Sequence, residues 1–361
     1  MSVKGYKAFN KGMICRGKHY EENTTYEENG NEICEAGVMH YCENPFDTLD
    51  YYPLVNENGE ISEFAEVEPL GKVFKRENKC ATNKLHIKAK LGLKGFIKAC
   101  VDFTLEKTKI EEIEDGIEND NGNNSAKIGS SGDYAKIGSS GYYAQIGSSG
   151  DYAQIGSSGD SAKIGSSGYS AQIGSSGDYA KIGSSGDSAK IGSSGDYAKI
   201  GSSGYYAQIG SSGYYAQIGS SGDYAQIGSS GDSAQIGSSG DYAQIGSSGD
   251  SAKIGSSGYS AQIGSSGDYA KIGSSGDYAK ITSKGKNSVV MAAGYNSIAK
   301  AKIGSWITLA EWIRTDKTND SGKYIWIPKC VKTEHVDGER IKEDTFYKLV
   351  DGEFKEVESE E

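Results

Sequence analysis

Eighteen isoleucines, from Ile128 to Ile281, stand nine residues apart without a slip, and one sentence runs between them: Gly-Ser-Ser-Gly-(Asp/Tyr)-(Tyr/Ser)-Ala-(Lys/Gln)-Ile. A short period this strict specifies a stacked repeat, so it constrains about half of the chain at once. Nine residues are too few for a helical repeat, and the unit has no apolar stripe of period 3.6. Tyr134-Ala135-Lys136-Ile137 instead alternates polar and apolar. That pattern predicts a short strand with Ala and Ile inward and Tyr/Ser and Lys/Gln outward. Gly138-Ser139-Ser140-Gly141 is then the expected corner, because Gly permits tight backbone and Ser bonds it locally.

One nonapeptide cannot circle a core, whereas two make a coil with two narrow sheets face to face. The fold class expected is therefore mainly β: a nonapeptide-repeat β-solenoid with about two repeats per coil and an interior of Ala and Ile. A small α+β N-terminal domain and a β-rich C-terminal cap flank it. At roughly 4.8 Å per stacked strand the repeats make a rod on the order of 40 Å long. No unit folds alone; neighbours supply the buried surface. The expected layout is 1–105, a small domain; 106–124, an acidic linker; 125–303, the solenoid, with decayed capping coils from 282; and 304–361, the cap.

The variable positions report the exterior. The fifth residue of the unit is Asp in 12 units and Tyr in 5, and the eighth is Lys nine times and Gln nine times. Units carrying two tyrosines (Tyr142 and Tyr143, Tyr205 and Tyr206, Tyr214 and Tyr215) are the candidate binding residues, since Tyr combines an apolar face with a polar tip. The calcium-binding nonapeptide needs Gly-Gly-x-Gly-x-Asp, and here Asp133 directly follows Gly132, so no calcium and no other cofactor is expected. Ice binding through the flat ladder is a further alternative, disfavoured because Thr is nearly missing from the repeat.

The net charge of −11 disfavours nucleic acid as a ligand. The repeats carry 12 Asp against 9 Lys, several-fold too little charge to imitate DNA. No apolar run approaches a membrane-spanning length, and Met1-Ser2-Val3-Lys4 leads into polar sequence with no signal peptide. A cytoplasmic or virion-associated protein is expected. The partner is a protein or a glycan, and homo-oligomerisation is left open. Five cysteines precede the repeats and one follows, which is not a secreted disulfide framework.

Within residues 1–105, Glu63 to Glu68 alternates as a strand. Asn44-Pro45 reads as a helix start with Asn44 as N-cap, and Lys84 to Cys100 as a helix. Cys15-Arg16-Gly17, Gly37-Val38-Met39-His40-Tyr41-Cys42, Asn44-Pro45 and Tyr51-Tyr52, in that order, resemble a domain of unknown function found in bacteriophage and gut-bacterial genomes. The resemblance implies a phage or prophage setting and a layout in which the domain precedes a small-residue repeat. Cys15, His19, Cys34, His40 and Cys42 include Cys-x3-His and His-x-Cys spacings that zinc accepts. The absence of a Cys-x2-Cys knuckle favours plain buried thiols instead. The order Arg16-Gly17, His40, Tyr51-Tyr52 is also similar to ADP-ribosyltransferase-like folds. That likeness implies a nucleotide-dependent enzyme with Glu66 or Glu68 as its acid and the rod as spacer.

Downstream, Trp306–Trp312 and Tyr324–Pro328 read as two strands, and Phe346–Phe354 as a hairpin turning at Asp351-Gly352. The three Trp are expected to seal the open end of the solenoid. Gly294 to Ala299 resembles the β-roll of trimeric adhesin heads. The function expected is non-enzymatic: a structural and binding rod that spaces two terminal domains.

Overall fold

The computed structural model describes residues 4–30, 37–55, 60–76, 78–107, 117–120, 124–319 and 321–358. Each coil is two repeats long: Lys127-Ile128-Gly129-Ser130 pairs in parallel with Gln145-Ile146-Gly147-Ser148, and Lys136–Ser139 with Gln154–Ser157. Alternate repeats thus build two different sheets, of 13 and 12 strands among the described residues, which run the length of the rod and on into the C-terminal segment. Between them lies one core in which Ile and Ala of every coil are almost fully buried.

The strand occupies a different part of the unit from the one the alternation predicts. It is Lys-Ile-Gly-Ser or Gln-Ile-Gly-Ser, two residues later than expected, and the Tyr/Ser position falls in the corner. The reason is a backbone angle: Tyr134, Tyr152, Ser161 and most residues in that slot take φ between 53° and 60°, a left-handed conformation that ends a strand. Asn287 and Asn296, in the same slot of the decayed coils, take it too, and Asn tolerates it better than Tyr. The interior consequently holds a third ladder beside Ala and Ile. The first Ser of each corner points inward, as Ser148, Ser166, Ser184 and Ser202 do with no exposed surface.

The second Gly of the unit is fixed by stacking. A Cβ on Gly150, Gly159 or Gly222 would overlap the carbonyl oxygen of Gly132, Gly141 or Gly204 in the coil below. Asp at the next position has an internal role. Asp133 Oδ1 accepts the N–H of Asp151 at 2.9 Å, and Asp178 that of Asp196 at 2.7 Å, so the carboxylates tie corner to corner.

The N-terminal domain holds a four-stranded antiparallel sheet in the order Gly5–Phe9, Glu63–Pro69, Lys84–Leu91, Thr24–Glu27, with a three-stranded sheet beside it. Asn44 caps a short 3-10 helix, Pro45–Asp50. Lys84–Leu91 is a strand rather than the start of a helix, and helix α1 runs Leu93–Lys107. Cross-strand pairing with Glu63–Pro69 buries Leu85 and Ile87 completely, so sheet context overrides the helical reading.

This domain does not sit at the end of the rod. It lies along the flank, on the sheet that begins at Lys127, so the solenoid is not a spacer for it. A Cβ on Gly183 would touch Ile97 and Phe46, one on Gly201 Ile97 and Leu54, and one on Gly237 Val55 and Ile61. Lys163 Nζ meets Asp47 at 2.6 Å, Lys181 meets Asp50 at 2.7 Å, and Lys199 donates to the Leu49 carbonyl at 2.5 Å.

At the far end, Trp306–Thr318 extends the rod and folds back on Tyr324–His335, while Tyr347–Val350 and Glu353–Glu356 form the second hairpin. Asp351 and Gly352 take φ of 53° and 71°, the left-handed pair expected of a tight turn. The plug is not tryptophan. Val336, Ile341, Tyr347 and Leu349 complete the core, whereas Trp306 and Trp326 are exposed and Trp312 Nε1 donates to the Ala293 carbonyl. These rings lie on outward positions of the long hairpin, so strand pairing, not aromatic packing, closes the sheets.

Candidate binding surfaces

The two sheets have the same repeat sequence and different surroundings. On the docked face, strands from Gln145–Ser148 to Gln235–Ser238 are covered by the N-terminal domain, and their glycines are buried where that domain sits. On the opposite face every second residue of Gln154–Ser157, Lys190–Ser193 and Gln226–Ser229 is exposed. There the first Gly of the unit, at 156, 174, 192, 210 and 228, has no atom within 4 Å of where its Cβ would be. The result is a continuous groove of about 1280 Å³ with a glycine floor and a wall of Lys136, Gln154, Gln172, Lys190, Gln208 and their successors. Gly in a strand interior costs roughly 0.5–1 kcal/mol relative to Ala. On the docked face apolar side chains need the space that the missing Cβ leaves; on the open face none of the described residues uses it.

Lys and Gln occur on both faces, but three lysines of the docked face hold the domain. Lys163, Lys181 and Lys199 are consecutive steps on the docked face and meet the domain's acidic and carbonyl oxygens. Asp47, paired with Lys163, and Lys181, paired with Asp50, are both buried, and losing the partner of either leaves a buried charge uncompensated.

The predicted tyrosines divide between the two edges of the rod. Tyr205 and Tyr206 stand on the edge that leads into the open face, with ring centroids 4.6 Å apart. Tyr142 with Tyr143, and Tyr214 with Tyr215, stand on the other edge. The pairs are therefore not one site. What the sequence reading missed is a longer assembly: Tyr205 and Tyr206 start a ladder through Tyr224, Tyr242, Tyr259, Tyr278 and Tyr295 to Trp326. Centroid spacings are 5.0 Å for Tyr224–Tyr242 and 4.4 Å for Tyr295–Trp326. The signal was present as tyrosines recurring in every second repeat, and it becomes legible once the coil length is assigned. Stacked rings such as Tyr224 and Tyr242, 11° from parallel, turn their faces to each other and their edges and hydroxyls to solvent.

In the N-terminal domain a cavity of about 380 Å³ gathers Cys15, Arg16, His40, Cys42, Tyr51 and Tyr52. Arg16 and Gly17 form the tight turn of the Ile14–Cys15/Lys18–His19 hairpin, with φ of 52° and 79°. Tyr52 Oη donates to Cys15 Sγ at 3.1 Å. Burial pushes the Cys42 thiol up to about 12 and, with Lys79, Lys7 and Arg16 nearby, holds His40 down to about 4. His19 is exposed and lies outside the cavity, Cys34 falls outside the described residues, and among the described residues no three His, Cys, Asp or Glu side chains gather as ligands. The acids that a transferase-like reading requires are also elsewhere: Glu66 pairs with Lys4, and Glu68 with Lys88 at 2.9 Å.

No curated protein and no solved structure matches the chain. Residues 3–99, the domain docked on the rod, match the model of one family, described as Domain of unknown function (DUF7666).

Proposed function

We propose that the protein is a non-enzymatic scaffold: a β-solenoid rod that clamps its own N-terminal domain on one face and offers the other face and its tyrosine edge to a protein partner. The carrying observation is the bare glycine floor of the open face, whose counterpart on the docked face is filled by Phe46, Leu54 and Ile97. A repeat that accommodates apolar side chains on one side has the same shape to offer on the other. The ladder favours a protein partner: of its rings only Tyr224 and Tyr242 stack face to face while the others are tilted or edge-on, an irregular surface of mixed faces, edges and hydroxyls. Tyr edges and hydroxyls suit protein contacts. A phage or prophage setting, as a virion accessory or a host-interaction factor inside the cell, belongs to the same proposal and rests on the motif resemblance of the N-terminal domain.

The test is affinity capture from bacterial host lysate with the full chain, beside a Gly192→Leu/Gly210→Leu/Gly228→Leu variant. The Cβ positions there meet no atom of the described residues, so the added side chains fill the groove without disturbing the coil. A stoichiometric protein partner held by the wild type and lost by the variant supports the reading. A partner indifferent to the groove and lost on altering the N-terminal domain moves the function to that domain.

A further inference from the structure

The N-terminal cavity has features that the scaffold reading does not use. Among the described residues its lining includes Lys7, Arg16, Lys18 and Lys79 against a single acid, Glu28. Glu28 is already paired with Lys18. Lys7 is 5% exposed, and its ammonium donates to the His40 carbonyl at 2.9 Å. Arg16 and Lys79 face no carboxylate within ion-pair distance among the described residues. His40 Nε2 is buried beside them without a hydrogen-bond partner. Three cations thus converge on one unsatisfied imidazole. Only Lys7 of the three is buried; burying its charge without a counter-charge is costly, and a bound anion relieves it. The remaining walls are aromatic, from Tyr20, Tyr51 and Tyr52. A cavity of this size, mostly apolar with a few convergent polar groups, has the character of a small-molecule site.

We propose that this cavity binds a small organic anion that carries a flat ring beside its charge, of the class of a nucleoside monophosphate. Arg16, Lys79 and Lys7 hold the anionic group, and Tyr52 and Tyr20 line the space for the ring. The site binds without transferring anything: Glu66 and Glu68, the acids that group transfer would need, are tied to lysines outside the cavity.

Calorimetric titration of the full chain with the four common nucleoside monophosphates, and with adenosine and inorganic phosphate as half-ligands, tests it. At least one nucleotide should bind tenfold or more tighter than either half-ligand. Arg16→Ala and Lys79→Gln should each weaken it about tenfold, and raised salt should weaken it further. Arg16 is exposed and Lys79 half-buried, so both variants are expected to fold; unchanged circular dichroism and thermal midpoint check this. The proposal is overturned if no nucleotide binds at millimolar concentration. It is equally overturned if adenosine or phosphate alone binds as tightly as the nucleotide, or if the two variants bind like the wild type.

Discussion

Gly219 and Gly228 sit nine residues apart in the same local sequence, Ala-Gln-Ile-Gly-Ser-Ser-Gly, and the structure predicts opposite responses to one substitution. Gly219 is on the docked face: its Cβ would lie 2.9 Å from Leu54 Cδ2, 3.2 Å from Leu54 Cγ and 3.7 Å from Leu93 Cδ2. Leu54 is 1% exposed and has nowhere to retreat. Gly228 is on the open face with nothing within 4 Å. Replacing either by Val removes the backbone entropy penalty of a strand Gly, roughly 0.5–1 kcal/mol, and that gain is common to both. Only Gly219→Val also forces methyl groups into a packed interface, at about 1–3 kcal/mol. The two variants should therefore differ by about 1–3 kcal/mol, which is roughly a 5- to 150-fold change in the equilibrium for lifting the domain off the rod. Amide hydrogen exchange reads this directly. In Gly219→Val the amides of helix α1 should exchange faster while those of the coils keep their protection. Gly228→Val should match or exceed the wild type. Indistinguishable exchange in the two variants would refute the claim that the domain is seated on the glycine column.

Other consequences can be measured with the same protein. Gly222→Ala drives a Cβ into the Gly204 carbonyl oxygen, and it should cost more than about 3 kcal/mol in denaturant unfolding, whereas Gly228→Ala, with open space around it, should be close to neutral. Ser193 Oγ is buried without a partner, so Ser193→Ala should be neutral or slightly stabilising; a loss above about 1 kcal/mol would show that the hydroxyl ladder is bonded. Burial, and then Lys181, hold Lys199 down to about 8 from 10.5. The undocked chain binds the extra proton between those values, so docking should strengthen as pH rises from about 8 to about 10.5. Compared with Lys199→Met, the wild type should gain stability across that window, and a flat difference would contradict the lowering of Lys199 by burial.

The repeat alone was sufficient to settle the coil. Ile every nine residues, with Ala two before it, has one economical solution: two units per turn, both apolar side chains inward, each strand stacked on the strand of the next unit but one. The hairpin turn at Asp351-Gly352 and the Asn44 cap were also legible, because they depend on local backbone chemistry. The strand boundary was not, since alternation in Tyr134–Ile137 hides a left-handed φ at Tyr134 that becomes necessary only when the coil must close. The aromatic ladder was half legible. Adjacent tyrosines such as Tyr205 and Tyr206 catch the eye in sequence, while Tyr224 and Tyr242, which stack, are separated by a whole coil.

What tertiary structure alone decided is which face of the rod is covered. The units that build the two faces are locally the same, so no local rule distinguishes Gly219 from Gly228 or Lys181 from Lys190. The distinction comes from contacts far apart in sequence, between Asp47, Asp50, Leu54 and Ile97 and the lysines and glycines below them. The cationic cavity has the same origin, because Lys7, Arg16, His40 and Lys79 lie on separate strands and turns that only the folded domain brings to one wall.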